Sequence, residues 1–375
     1  MYLQAKLLVY KKTYHLIFQL NIVYNYSTIK DNMTYQAAEI VHFFKNKDHL
    51  SVIPAQVDID LTNICNQDCF YCNSAVHRAN APVQKKYQEY IKLLDKLATW
   101  RAHSPNSVGT LHTITFPGGG EPTVLNGYEK VLEHAIDLGF LTSMTTNGTK
   151  LNKLIDHVHP DKLKRMAWVG IDIDAGDEET YEIIRRSLTT TSPFSKVMSN
   201  ATELVKTGCI VDFKILLNEY NDNYESLEQV FLRCKEVGVR LLYIRPAIVN
   251  GVAYPFEQQT LANIESLILK HGIQVKMNQS KTLERNYKRC HQMFQFPVMC
   301  ADGHIYTCCD NKGNPAYSIG RWDEGDFRDL WLSQRHWDIY NKVNTNLCPP
   351  CRPNKNNIEI QKIMDKPELM EVLYT

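Results

Sequence analysis

The chain has 375 residues, 44% hydrophobic and 22% charged, an ordinary globular composition with room for one large domain and a smaller one. Lys and Arg number 42 against 41 for Asp and Glu, so the formal charge of +1 gives no global reason to expect nucleic acid or an anionic membrane as partner. No run approaches the roughly 18 apolar residues of a membrane span. The apolar stretch Tyr14–Tyr26, behind Lys6, Lys11 and Lys12, is interrupted by Gln19, Asn21 and Asn25, and no small-residue cleavage site follows. A cytoplasmic location is expected.

Residues 1–51 read as an N-terminal extension. From 52 to 252 short strand-like runs alternate with helical patterns. Val57–Leu61 alternates apolar and polar residues as a half-buried strand does. Helical Gln84–Trp100 follows, with Tyr87, Ile91, Leu94 and Leu97 on one stripe. The series continues with strand Leu111–Phe116, helix Tyr128–Leu138, strand Leu141–Thr146, helix Lys150–His157 and strand Met166–Ile173. Helices Glu178–Arg186 and Lys196–Lys206, strand Ile210–Leu217, helix Tyr224–Val237 and strand Val239–Ile244 complete it. Gly139, Gly208 and Gly238 stand where C-terminal caps need positive φ. Such alternation implies an α/β fold with a parallel sheet, as a barrel or an open sheet. Polar residues gather at strand C-terminal ends (Asp60 and Thr62, Thr145–Asn147, Asp172 and Asp174, Arg245), the edge on which barrels build sites.

After 252 the pattern changes. Thr260–Lys270 reads as helix, Phe296–Met299 and His304–Cys308 as a hairpin turning at Ala301-Asp302-Gly303, and the run beyond Trp331 as a helix reaching Tyr340. Residues 253–355 form a second unit, and 356–375 a polar tail ending in an amphipathic segment.

Eleven cysteines without an export signal argue for metal or redox chemistry over a disulfide framework. Cys209 and Cys234 stand alone in the middle. Cys65, Cys69 and Cys72 give CxxxCxxC directly after a strand. Three thiolates do not close a tetrahedral zinc site, and His77 is the nearest further ligand. A 4Fe–4S cluster on three thiolates keeps one iron open for a small molecule, whereas electron transfer alone is served by four. Six more cysteines lie between 290 and 351, the last pair as Cys348-Pro-Pro-Cys351.

With Tyr71 before its last cysteine, the CxxxCxxC motif resembles the radical S-adenosylmethionine superfamily. Gly118-Gly119-Gly120-Glu121-Pro122 after the second strand, Thr146-Asn147-Gly148-Thr149 after the third and Val169–Ala175 at the fourth strengthen the resemblance. It implies a partial (β/α)6 TIM-like barrel whose three cysteines bind a 4Fe–4S cluster and S-adenosylmethionine. Tyr71, Gly119, Gly120, Glu121, Asn147, Asp172 and Arg185 fall on positions near that cofactor. Gly119, Gly120 and Glu121 match the motif that meets its methionyl amino group, and Arg185 the arginine that meets its carboxylate. Asp172 stands where relatives often have Ser, and Arg185 reads equally as a solvated helix charge. Asp58 and Asp60 either line the cavity or face solvent.

Cys290, Gly303, Cys308, Cys348 and Cys351 resemble the shortened SPASM domain called twitch, a small α+β unit holding an auxiliary 4Fe–4S cluster on four cysteines; structural zinc is the alternative. Cys300 could replace Cys290 as ligand. Cys309, on the strand face opposite Cys308, and Cys300 are candidate hydrogen-atom donors. The resemblance implies a radical oxidoreductase or epimerase acting on a small polar substrate, a sugar or aminocyclitol, with a flavodoxin or ferredoxin supplying low-potential electrons. A peptide-modifying enzyme and a non-enzymatic iron–sulfur electron carrier are the alternatives.

Overall fold

The six strands expected in the first 250 residues all form, and a seventh parallel strand follows them. The computed structural model describes residues 39–46, 51–101, 107–189, 191–278, 285–348, 351 and 354–366; the stretch Tyr14–Tyr26 lies outside them. Strands β1 (Gln56–Ile59), β2 (Thr113–Phe116), β3 (Leu141–Thr146), β4 (Trp168–Asp172), β5 (Val211–Leu217), β6 (Leu241–Pro246) and β7 (Val275–Met277) are parallel and neighbour one another in chain order. Between them run helices α1 (Tyr87–Trp100), α2 (Tyr128–Asp137), α3 (Asn152–His157), α4 (Glu178–Arg185), α5 (Pro193–Lys206), α6 (Tyr224–Val237) and α7 (Gln258–His271). Gly139, Gly208 and Gly238 take the left-handed conformation expected of them, at φ +76°, +86° and +76°.

Side chains divide by the two-residue strand period. Val57, Ile59, Ile114, Phe116, Val169, Ile171, Phe213 and Ile244 are buried in the core. Their alternates Asp58, Thr115, Asp172, Lys214 and Tyr243 border a central cavity of about 1840 Å³. The barrel interior is therefore polar and open, and the alternation seen in the sequence separates core from cavity.

The second unit is not separate from the first. β8 (Val298–Met299) pairs parallel with β1 in the register Val298↔Asp58 and Met299↔Ile59, and β9 (His304–Tyr306) and β10 (Ser318–Arg321) extend the same sheet antiparallel. Its order is β7-β6-β5-β4-β3-β2-β1-β8-β9-β10. The hairpin turns as expected, with Gly303 at φ +90°. However, β9 stops at Tyr306. Cys308 and Cys309 lie beyond it, Cys309 in a turn, so the expected strand-face separation of these two does not apply.

Helices α8 (Gln334–Lys342) and α9 (Asn354–Asp365) finish the fold, and α9 spans the boundary drawn at residue 355. Ile360 and Ile363 of α9 are buried. The helical segment 39–45, inside the extension, docks on this end of the chain through Phe43 and Phe44, which meet Phe294, Trp337 and Tyr340 at ring separations of 5.3–6.2 Å.

His336 of α8 sits in this aromatic cluster, stacked on Phe294 at 4.6 Å. Burial lowers its pKa to about 4. The unfolded chain thus binds a proton from about pH 6.5 downward that the folded chain refuses until about pH 4. Stability is complete above pH 6.5 and is lost as pH falls toward 4. Urea titrations should give about 2 kcal/mol less stability at pH 4.5 than at pH 7 from this group, a component that His336→Phe removes.

Candidate functional site

The loop after β1 holds Cys65, Cys69 and Cys72, and the residues between these cysteines anchor it. Asn66 Nδ2 donates to Thr149 Oγ1 at 2.9 Å, and Asn66 Oδ1 accepts from Asn147 Nδ2 at 2.8 Å, tying the loop to the end of β3. Gln67 donates to the Tyr181 hydroxyl (2.8 Å) and accepts from Arg185 Nε (3.0 Å), tying it to α4. From the other side Gly120 N donates to Thr62 O at 2.7 Å and Glu121 N to Ile64 O at 2.9 Å. A Cβ on Gly120 would stand 2.0 Å from Ile64 O. The glycine is thus required by loop-on-loop contact, where the sequence suggested close approach to a ligand.

Glu121 is buried, and its carboxylate accepts from Thr123 N and Oγ1, Thr146 Oγ1 and Asn147 N at 2.5–3.1 Å. Burial pushes its pKa up, against these donors. Arg185, 5% exposed, is no solvated helix charge. Its Nη1 lies 2.6 Å from Asp174 Oδ2 and 2.9 Å from the Tyr71 hydroxyl. Tyr71 also donates to Asp174 Oδ2. Burial opposes the guanidinium charge, while Cys69, Tyr71 and Asp174 around it keep it protonated. Burial in turn pushes the Asp174 carboxyl up, with Arg185 acting against the shift. Asp174 holds φ +52° although it is not glycine, with Leu216 N donating to its Oδ1.

All three cysteines border the large cavity, together with Tyr71, Gly119, Gly120, Glu121, Asn147, Asp172 and Arg185. Every site residue expected near the first cluster is thereby brought to one space. His77 points elsewhere, with Nε2 3.2 Å from Asn63 Nδ2 and 3.7 Å from Asp302 Oδ2, so it adds no fourth ligand. Among the described residues no three His, Cys, Asp or Glu side chains are gathered as ligands of a single ion. Burial pushes the Cys69 thiol up to about 12, so a thiolate there needs a cationic partner. Three half-buried thiols around one cavity, with no fourth ligand from His77, suit a cluster with an open iron. Asp58 borders the same cavity. Asp60 does not: it is buried and ion-paired at 2.7 Å with Lys312, from the turn after Cys309.

A second cavity of about 50 Å³ is bordered by Cys290, Cys308, Cys348 and Cys351, with Cys309, Tyr287 and Tyr317. None of the eleven cysteines is in a disulfide. Four thiols around so small a space match a fully ligated cluster or zinc. Cys309 borders both cavities, whereas Cys300 is buried outside the large one with its thiol 3.4 Å from Asp60 Oδ2. Asn66, Gln67, Tyr181 and Lys312 were not anticipated as parts of the site, and Asp174 was expected there only as a polar residue at a strand's C-terminal end. Of the other four, only Asn66 and Gln67, lying between cysteines, carried a signal in the sequence.

Residues 59–231 match the family model of the radical SAM superfamily. The family implies S-adenosylmethionine and a 4Fe–4S cluster. An S-adenosylmethionine-dependent nucleotide dehydratase from Lacinutrix mariniflava is 28% identical over 176 residues, 46% of this chain; the chain spans 35% of that relative's length. A probable GTP 3′,8-cyclase from Saccharolobus solfataricus is 26% identical over 277 residues, 68% of this chain and 83% of the relative. Among solved structures, Streptococcus suis SuiB bound to S-adenosylmethionine superposes with TM-score 0.60 at 14% identity, covering 85% of this chain and 73% of that one. Native anSMEcpe with bound AdoMet gives TM-score 0.54 at 15% identity, covering 86% and 99%. These superpositions show a shared fold.

Arg185→Met leaves the Asp174 carboxylate buried and uncompensated. Thermal or urea unfolding should register a loss of about 3–5 kcal/mol, part of which Asp174→Asn restores in the double variant.

Proposed function

We propose that this radical SAM enzyme acts on a small phosphorylated substrate, a nucleotide or sugar phosphate, and takes hydrogen from a carbon of its sugar. Cys65, Cys69 and Cys72 hold the first 4Fe–4S cluster, and Cys290, Cys308, Cys348 and Cys351 a second. When bound, the first supplies the electron that cleaves S-adenosylmethionine to the 5′-deoxyadenosyl radical, and the second supplies electron transfer. A flavodoxin or ferredoxin is the matching reductant. Gly119, Gly120 and Glu121 receive the cofactor amino group. Arg185 braces the cysteine loop beside the cofactor carboxylate.

The observation behind the substrate class is a basic wall in the same cavity as the three thiols. Lys214, Tyr243 and Lys276 stand in register across β5, β6 and β7, and Arg245 follows two residues on from Tyr243. The Arg245 guanidinium lies 5.1 Å and Lys276 Nζ 5.5 Å from the Tyr243 ring centre. Arg245 Nε is buried with no hydrogen-bond partner among the described residues. Lys214 Nζ reaches Thr145 Oγ1 at 2.7 Å through space that a Cβ on Gly170 would fill. Such a wall attracts phosphate and repels the ammonium of an aminocyclitol. That the two relatives are named for GTP and nucleotide chemistry supports the same class. On this reading the sugar is the part attacked. Oxidation or epimerisation remains the reaction type. Of the two thiol candidates Cys309, which borders both cavities, is the one suited to give a hydrogen atom.

Anaerobic reconstitution should load about eight irons per chain, and Cys69→Ala about four, with 5′-deoxyadenosine formation lost. Equilibrium dialysis against nucleoside triphosphates, their unphosphorylated nucleosides and a peptide panel should show phosphate-dependent binding. Arg245→Gln and Lys276→Gln should each weaken it about 10- to 100-fold. Equal binding of nucleosides, or binding of peptides alone, refutes the assignment.

A further inference from the structure

Beside the smaller cavity, each of the sulfurs of Cys290, Cys308, Cys348 and Cys351 meets one amide or hydroxyl side chain, and none is shared. Asn357 Nδ2 lies 3.5 Å from Cys290 Sγ, and Asn311 Nδ2 3.5 Å from Cys308 Sγ. The Tyr317 hydroxyl lies 3.8 Å from Cys348 Sγ, and the Tyr287 hydroxyl 3.9 Å from Cys351 Sγ. The four come from separate places in the chain: α9, the turn after Cys309, the turn before β10 and the segment before Cys290. We propose that Asn357, Asn311, Tyr317 and Tyr287 are positioning residues that raise the reduction potential of the cluster held by these cysteines. The inference rests on the reading that the four cysteines hold an iron–sulfur cluster.

The local structure aims these groups. Asn357 is wholly buried, and its Oδ1 accepts from Gln292 N at 3.1 Å. Its amide can then present only the NH2 group to Cys290, so the donor direction is fixed by a backbone contact on the opposite side. Asn311 is held by its own backbone, whose N donates to Cys308 O at 3.3 Å. Tyr287 is buried, and both tyrosine rings border the cavity, so each hydroxyl meets sulfur in a site of low polarity. At the three-cysteine site the contact of this kind is a charged one, Arg78 Nη1 at 3.3 Å from Cys72 Sγ.

The physical consequence follows from charge. A cluster that takes one electron from a reductant gains one negative charge, part of it on the thiolate sulfurs. Hydrogen bonds to those sulfurs stabilise the reduced form more than the oxidised one. No proton transfers, because an amide N–H and a phenol O–H remain bonded in both states. Four such bonds bias a closed cluster toward holding an electron. That suits an acceptor which takes the electron released when a substrate radical is oxidised, and it favours oxidation over a redox-neutral outcome.

The experiment uses the full chain carrying Cys65→Ala, Cys69→Ala and Cys72→Ala, so that only the second cluster can form. Iron and zinc content come first: zinc, or no metal, overturns the cluster reading itself. With about four irons bound, EPR-monitored redox titration compares this protein with Tyr287→Phe, Tyr317→Phe and their combination, in which only hydroxyls are removed. The reduced-to-oxidised ratio at fixed potential should fall about fivefold for each and about 25-fold for both. Pulsed EPR after exchange into D2O should detect deuterons coupled to the cluster, fewer in each variant. Asn357→Leu extends the series where it keeps its iron. Unchanged ratios in the iron-loaded tyrosine variants, or no coupled deuterons in the parent, overturn the donor proposal while leaving the cluster in place.

Discussion

A guanidinium taken almost wholly out of water has to be neutralised, and the arrangement around Arg185 follows from that requirement. Its partners come from two segments: Gln67 and Tyr71 from the cysteine loop, and Asp174 from just beyond β4. A loop of eight residues with three cysteines has little reason to hold one shape by itself. Here it is pinned through the residues between its cysteines, to α4 on one side and to the end of β3 on the other. Asp174 accepts a left-handed backbone to reach this position, a strain of the order of 1–3 kcal/mol that its several hydrogen bonds offset.

The second constraint is spatial. Gly120 lies against the Ile64 carbonyl with no room for a side chain, so the Gly-Gly-Glu turn and the cysteine loop form a single backbone surface. Asp60, immediately before that surface, is reached from the other unit by Lys312 and by the Cys300 thiol. The two cysteine sites are therefore joined by strand pairing, by a buried ion pair and by Cys309, which borders both cavities.

How much of this was legible depended on whether the signal was local. The βα series was readable because strand alternation and helix stripes repeat within a few residues, as at Val57–Leu61 and Tyr87–Leu97. β7, with three residues and a lysine in the middle, offered too little periodicity to detect. The cysteine spacings and the Gly-Gly-Glu run marked two sites, and the structure brings each set to one cavity. What stayed hidden was every contact across distant segments. Nothing near Asp174 names Arg185 and Tyr71 as its partners, and nothing near Asn357 names Cys290. A polar residue on a helix is ordinary in sequence, and its partner is set by packing alone. The placement of Cys309 was misjudged because β9 ends at Tyr306, and strand ends are decided by hydrogen-bond partners across the ladder.

β1 is an inner strand of the sheet, yet one of its two neighbours, β8, lies about 240 residues further along the chain. During synthesis at about 5–20 residues per second, that edge of β1 waits some 10–50 s for its partner to leave the ribosome. Through this interval the barrel strands can assemble while one inner edge still offers unpaired amides and carbonyls, which is the condition under which nascent sheets mispair. The charged side chain of Asp58 on that short strand is a defence suited to such a wait, and late closure by β8 makes the last third of the chain the step that commits the whole sheet.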